Sequence, residues 1–230
     1  MDILTVPSVL ARIRDHANQK EMCAELSVIR RKIHANPELG NHEFATQKLI
    51  LDELEALGGS KTFVFVRKVM VTGVVALLRG GLKSDDAIRT VLLRGDMDAL
   101  PMPDKKECDY KSQNEGVCHA CGHDVHVTCL LGAVRLLVAQ RDQFAGRVLF
   151  VFQPAEEIAG GGRRMVSLGV CGDWISEDGQ KRTPSLLKVL KVNKDRSDAE
   201  NTTGDESEHD DTNDSDVGSV AELSHCKAAE

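Results

Sequence analysis

Two apolar runs, Val91 to Leu93 and Val148 to Phe152, stand on either side of a helical stretch, and this order leaves the chain little choice of topology. Val148-Leu149-Phe150-Val151-Phe152 is apolar without alternation, the pattern of a strand covered on both faces. From about Asp124 to Gln140, Leu130, Leu131, Val134, Leu137 and Val138 fall on one stripe, which predicts an amphipathic helix. Strand, long loop, helix, strand is a crossover unit, so the two strands are expected to be parallel and the connection right-handed. Parallel strands end on the same edge of a sheet, and that edge is where open α/β sheets bind ligands.

The polar motifs sit where this topology would bring them together. Asp96 and Asp98 directly follow the first strand, and Glu156 and Glu157 directly follow the second. Cys121 and His123 open the helix, which must start near the same edge. Thiol, imidazole and carboxylate are the donors that hold zinc-like divalent ions. A neighbouring second carboxylate can serve as a base toward water activated by such an ion. The constellation predicts a metallohydrolase site.

The rest of the chain supplies flanking elements. Leu10, Ile13, Ala24, Ile29 and Ile33 recur at helical spacing over residues 8–35, and Pro37 and Gly40 end that pattern. A second helix is expected over 43–57, with Asn41 as its cap and Gly58-Gly59 as its stop. Phe63 to Val66 and Val74 to Leu78 read as further strands. The expected fold class is α/β, a mixed and mostly parallel sheet flanked by helices. Pro184 to Val192 predicts one short helix with Thr183 as cap. From Asn193 on, the chain is acidic and rich in Ser, Thr, Asn and Gly, which predicts a disordered tail.

Composition narrows the partners. Aromatic residues are only 3% of the chain, so the core must be aliphatic. The net charge of −7 is concentrated: Asp195 to Asp216 holds ten acidic residues and one Arg. The remainder is nearly neutral and has no basic footprint for nucleic acid. No apolar run reaches the roughly 18 residues that a membrane span needs, and the first residues lack the pattern of a secretory signal. These features predict a cytoplasmic protein. Its seven cysteines show no framework spacing, so thiols are expected as ligands or core residues rather than disulfides.

Four ordered motifs carry a family resemblance. They are Arg30-Arg31-Lys32-Ile33-His34-Ala35-Asn36-Pro37-Glu38-Leu39-Gly40, Leu93-Arg94-Gly95-Asp96-Met97-Asp98-Ala99-Leu100-Pro101, Gly116-Val117-Cys118-His119-Ala120-Cys121-Gly122-His123-Asp124 and Phe152-Gln153-Pro154-Ala155-Glu156-Glu157. With them the chain resembles the aminoacylase-like amidohydrolases: hippurate hydrolase, N-acyl-amino-acid amidohydrolase and the hydrolases of auxin–amino-acid conjugates, within the dinuclear metallopeptidases. The resemblance implies a zinc-dependent exopeptidase-like fold and hydrolysis of small N-acyl amino acids. It implies two divalent ions, Mn or Zn, with Cys121, His123 and Glu157 as ligands and Cys121 able to bridge. Glu156 would be the general base, Asp98 would orient a ligand, and Asp96 and Asp124 would stand behind the ligands. His119 and His126 would support or pack, and His34 and His42 would be structural.

The same resemblance implies a further ligand His some two dozen residues after the Glu pair, another near the end of the catalytic domain, and a lid domain. No His occurs between His126 and His209, and Cys118 and Val125 stand where the family usually has Met and Gly. The expected organisation is therefore an N-terminal part of a catalytic domain over residues 1–170, a divergent segment over 171–192 and an acidic tail over 193–230. Activity of such a chain alone would be impaired. Two alternatives stand beside it. One is a non-catalytic remnant that binds metal, a homologue or a second copy through an exposed sheet edge. The other is a chain that does not fold stably.

Other motifs lead to weaker chemistry. Cys118-x-x-Cys121 is half a structural zinc site with no second pair after it. Gly160-Gly161-Gly162 lacks the Gly-Lys-Ser/Thr ending of a phosphate loop. Asp211 to Glu222 places oxygens at calcium-loop positions but has Asp216 where the turn needs glycine.

Overall fold

A computed structural model of the chain describes residues 11, 14–15, 17–83, 89–158 and 160–170. The expectations for 171–192 and for the acidic tail lie outside these residues. Helix α1 (Lys20–Ala35) buries Ile29 and Ile33. It ends at Asn36, which leaves helical geometry at φ −127°, because the ring of Pro37 disfavours a helical residue before it. The helix begins later than its periodicity predicts. Gln19 is extended, at φ −62° and ψ 128°, and separates α1 from the helical residues before it.

Helix α2 (Phe44–Ala56) is held at its start by a residue other than the expected cap. Asn41 lies two positions before the capping position, in left-handed geometry at φ 64°. Glu38 does the capping: its two carboxylate oxygens accept the amides of Ala45 and Thr46, each at 2.9 Å. These are amides that the first turn of a helix leaves without internal partners. Gly58, left-handed at φ 104°, ends the helix region.

Four strands form one sheet in the order β1-β2-β4-β3: β1 (Phe65–Val69), β2 (Gly73–Arg79), β3 (Thr90–Asp96) and β4 (Arg147–Gln153). Helix α3 (His123–Ala139) forms the crossover from β3 to β4, and these two strands pair in parallel as expected. The other two pairings, β1 with β2 and β2 with β4, are antiparallel. Parallel pairing is thus the minority within a mixed sheet. The reason is local: β1 and β2 are joined by the short turn 70–72, with Met70 left-handed at φ 56°, and so tight a connection permits only a hairpin.

Both faces of β2 and β4 are covered, as the unbroken apolar run of β4 requires. Val74, Ala76, Leu78, Phe150 and Phe152 pack with Ile33, Ile50, Leu54, Leu131 and Val134 of helices α1, α2 and α3. Val75, Leu77, Leu149 and Val151 face the other way, onto Met165 and Val170. Met165 belongs to a short helix, α4 (Gly161–Ser167). Strand β3 forms an edge and leaves Val91 57% and Leu92 39% exposed. Among the described residues, no helix is long and apolar enough to cross a membrane.

Candidate active site

The carboxyl ends of β3 and β4 and the amino end of α3 meet at one rim. Strand β3 ends at Asp96, strand β4 at Gln153, and α3 opens at His123 after a left-handed Gly122. Asp98 lies at the centre of this rim. Its Oδ1 accepts the amide of Glu156 at 3.0 Å and its Oδ2 the amide of Glu157 at 2.9 Å. The ring of His123 leans on the same residue: Nδ1 is 2.8 Å from the Asp98 carbonyl and 3.3 Å from its Oδ1. Two segments more than fifty residues apart are thus tied by one side chain.

With Nδ1 occupied, His123 turns its other nitrogen to the acidic groups. Nε2 lies 3.5 Å from Asp96, 3.9 Å from Glu156 and 3.7 Å from Glu157. Donor atoms of Cys121, His123 and Glu157 all lie within 4.8 Å of one another. Oε1 of Glu157 is buried and has no hydrogen-bond partner. The Glu156 side chain is 42% exposed, against 17% for Glu157. One glutamate is therefore turned into the cluster while the other stands at its open side. Asp96, His123 and His126 form a second group with donor atoms within the same span, and it shares His123 with the first. Asp96 is heavily engaged there: one oxygen is 2.5 Å from Nδ1 of His126, the other 2.9 Å from Arg94. The His126 ring also stacks on His123 with centroids 5.5 Å apart.

Charge organises the rim. Burial pushes against ionisation of Asp98, but the hydrogen bond from His123 and the amides of Glu157 and Glu156 outweigh it and hold this carboxyl below its ordinary range. Asp96 is also held low against burial, by His126, His123 and Arg94. Burial disfavours a charged His123, but Asp98 and Asp96 reverse this and raise its pKa. The thiol of Cys121 is pushed up to about 11, first by its hydrogen bond to Glu157. A cation bound among these groups would invert that preference, since a coordinating thiol gives up its proton.

Asp124 is placed otherwise than expected. It does not face His123. Its Oδ2 lies 2.7 Å from Nδ1 of His34 and 2.8 Å from Nε of Arg30, both on α1. Successive helical residues project about 100° apart around the axis, which turns Asp124 from the rim to where α3 packs on α1. His34 is fully buried in that cluster, within 3.3 Å of Lys106. His119 is buried between the two groups, and burial lowers its pKa to about 4, so it stands neutral. Cys118 is buried, while Cys121 is exposed.

One residue of the site had no signal in the sequence. Glu43 is completely buried at the start of α2. Its Oε1 accepts the amide of Ala155 at 2.8 Å, and its other oxygen accepts the Thr72 hydroxyl. A lone acidic residue before a helix reads as an ordinary helix start, and only the fold reveals its partner 112 residues away.

Comparison with known proteins agrees with this geometry. Residues 92–205 match Peptidase family M20/M25/M40. The chain is 47% identical over 142 residues to IAA-amino acid hydrolase ILR1-like 4 of Arabidopsis thaliana, covering 62% of this chain and 30% of that protein. It is 36% identical over 154 residues to N-acetyldiaminopimelate deacetylase of Streptococcus uberis, covering 67% of this chain and 39% of the relative. The fold is similar to that of the Bacillus subtilis YXEP protein, described as a dinuclear metal binding peptidase from the M20 family. That match has a TM-score of 0.58 and 35% identity, and it covers 64% of this chain and 39% of that one. The chain therefore spans between 30 and 39% of the length of these three relatives.

Proposed function

We propose, from the match of residues 92–205 to Peptidase family M20/M25/M40, that this chain is the N-terminal portion of a metal-dependent amidohydrolase acting on N-acyl amino acids. Residues 1–170 would be that portion, 171–192 a divergent segment and 193–230 an acidic tail. Cys121, His123 and Glu157 would hold the metal, two ions of Zn or Mn in the complete site. The chemistry of the donors fits, because thiolate, imidazole and carboxylate together suit such ions. The observation that carries the reading is the orphaned, buried Oε1 of Glu157 facing Nε2 of His123 across 3.7 Å. Oε1 of Glu157, buried without a hydrogen-bond partner and within 4.8 Å of donor atoms of Cys121 and His123, is an acceptor that a shared cation would satisfy.

When bound, the ion would supply Lewis acidity to the scissile carbonyl and to water. Every other task falls to side chains of the chain. Glu156, at the open side of the cluster, would take a proton from the attacking water and return it to the leaving amine. Asp98 would hold Glu156 and Glu157 by their amides and keep His123 with Nε2 outward. A thiol ligand needs a reducing compartment, which is why the cytoplasm fits this reading.

Hydrolysis of hippurate and of N-acetyl amino acids, with Mn or Zn added, tests the proposal. Release of free amino acid that disappears in Glu156→Gln supports it. A metal-loaded chain that shows no turnover of any of these substrates even when the remaining portion of a complete homologue is supplied refutes it.

The open edge of β3, with Val91 and Leu92 exposed, favours a second reading. The chain would be a non-catalytic remnant that holds metal, or that pairs along this edge with a homologue or a second copy of itself. Elution as one folded species together with a complete homologue, without turnover, would distinguish it.

A further inference from the structure

We infer that Glu43 is a positioning residue for the pair Glu156-Glu157: its buried carboxylate sets the turn that carries both glutamates and so controls the reach of Glu157 toward Cys121 and His123. This rests on the reading of Cys121, His123 and Glu157 as a metal set. The turn after β4 hangs from two buried carboxylates. Glu43 accepts the amide of Ala155, and Asp98 accepts the next two amides, those of Glu156 and Glu157. Three consecutive amides are therefore fixed from two sides, and the chain must reverse between the first and the second. Ala155 makes that reversal in left-handed geometry, at φ 54°. For a residue with a Cβ this costs on the order of 1–2 kcal/mol, and such strain persists only where the surroundings over-determine it.

The surroundings do so. A Cβ on Gly40 would stand 3.1 Å from Cα of Ala155, and a Cβ on Gly161 would stand 2.0 Å from the carbonyl oxygen of Pro154. The turn is wedged between two backbones, with Glu43 as the polar tie at its base. Glu43 is itself held from behind. Its second oxygen takes the hydroxyl of Thr72 in the β1–β2 turn, and Gln47, one helical turn later, donates to the carbonyls of Val71 and Gly73. The start of α2 thus clamps the hairpin on one side and the glutamate turn on the other. A fastening of only structural use would affect stability alone. One that aims Glu157 must also affect the metal.

Cobalt binding separates these possibilities, because a thiolate ligand gives Co2+ a charge-transfer absorption, and loss of the band in Cys121→Ser assigns it to Cys121. The 230-residue chain would be titrated with Co2+ alongside its melting curve. Glu43→Leu removes both acceptors and keeps most of the volume. It should weaken Co2+ roughly 10- to 100-fold, the usual effect of losing support behind a ligand. Glu43→Gln keeps an oxygen acceptor for Ala155, and its NH2 can donate to the Thr72 hydroxyl, which rotates to accept, so affinity should stay within about threefold of wild type. Thr72→Val, which frees one side of Glu43, should fall between them. If the Leu variant does not fold, Thr72→Val decides. Cobalt affinity equal to wild type in the folded Leu or Val variant overturns the inference. A wild-type chain without the thiolate band sinks the metal-site reading itself, whereas a normal band in wild type with unchanged variants removes only the role of Glu43.

Discussion

Replacing Asp98 by Asn keeps the shape of the residue and inverts part of its chemistry. The carboxylate accepts the amide of Glu156 on one oxygen and that of Glu157 on the other, and its side chain is fully buried. An Asn has one acceptor oxygen, so its NH2 must confront one of the two amides, donor against donor. A charge-assisted bond contributes about 1.5–3 kcal/mol and an unsatisfied buried donor costs about 1–3 kcal/mol. Asp98→Asn is therefore expected to lose about 2–4 kcal/mol. That corresponds to a melting temperature lower by roughly 5–15 °C for a domain of this size. His123 keeps its orientation, because its Nδ1 also bonds the backbone carbonyl of residue 98 at 2.8 Å. Metal affinity should nevertheless fall roughly 10- to 100-fold through the loosened Glu157. The effect has a definite pH signature. Asp98 is held below its ordinary range in the folded chain, so its contribution is present above about pH 4 and is lost as the pH falls through the folded value. Wild type and variant should differ at neutral pH and converge in acid, as read by urea titrations at several pH values. A variant within about 0.5 kcal/mol of wild type at pH 7, with unchanged metal affinity, would refute the view that this carboxylate organises the rim.

Three further outcomes follow from the same geometry. Glu156→Gln should abolish hydrolysis while Co2+ affinity stays within about threefold, since this half-exposed side chain stands outside the Cys121 cluster; equilibrium dialysis beside an activity assay checks both. Metal affinity should rise at least about tenfold per pH unit between pH 6 and 8, because a Cys121 thiol pushed up to about 11 must surrender a proton to bind and His123, whose pKa is raised, adds a second at the lower end; a profile that flattens toward pH 8 in competition titrations would remove Cys121 from the ligand set. Gly95→Ala should cost about 1–3 kcal/mol, as its Cβ would stand 3.0 Å from the carbonyl oxygen of His126 and α3 would have to move off β3; thermal melts with no shift would contradict this contact.

The parts of the fold that the sequence made legible are those governed by local pattern and by chain topology. Continuous apolarity in β4 and the stripe of α3 were enough to place Asp96, Asp98, His123 and the two glutamates at one rim. What escaped depends on partners distant in sequence. Asp124 follows His123 directly in sequence, yet the turn of the helix carries it to His34, 90 residues away. Asn41 has the chemistry of a cap, but Glu38 reaches the free amides first. Glu43 was invisible because neither of its partners lies within one helical turn. The antiparallel majority of the sheet follows from how short the β1–β2 turn is, a property that apolar runs alone do not encode.

The parallel ladder pairs Asp96 with Gln153, so β3 and β4 finish level. At about 3.3 Å per residue, sliding one strand by two positions would move its trailing loop by about 7 Å, nearly twice the separation of His123 and Glu157. Insertions in the loop 105–116, between Asp98 and the Cys121–His123 turn, would leave that alignment intact, whereas a single residue added within either strand would turn its remaining side chains to the opposite face. Changes in chain length are thus tolerable in the stretch that looks least ordered and ruinous in the two that look simplest.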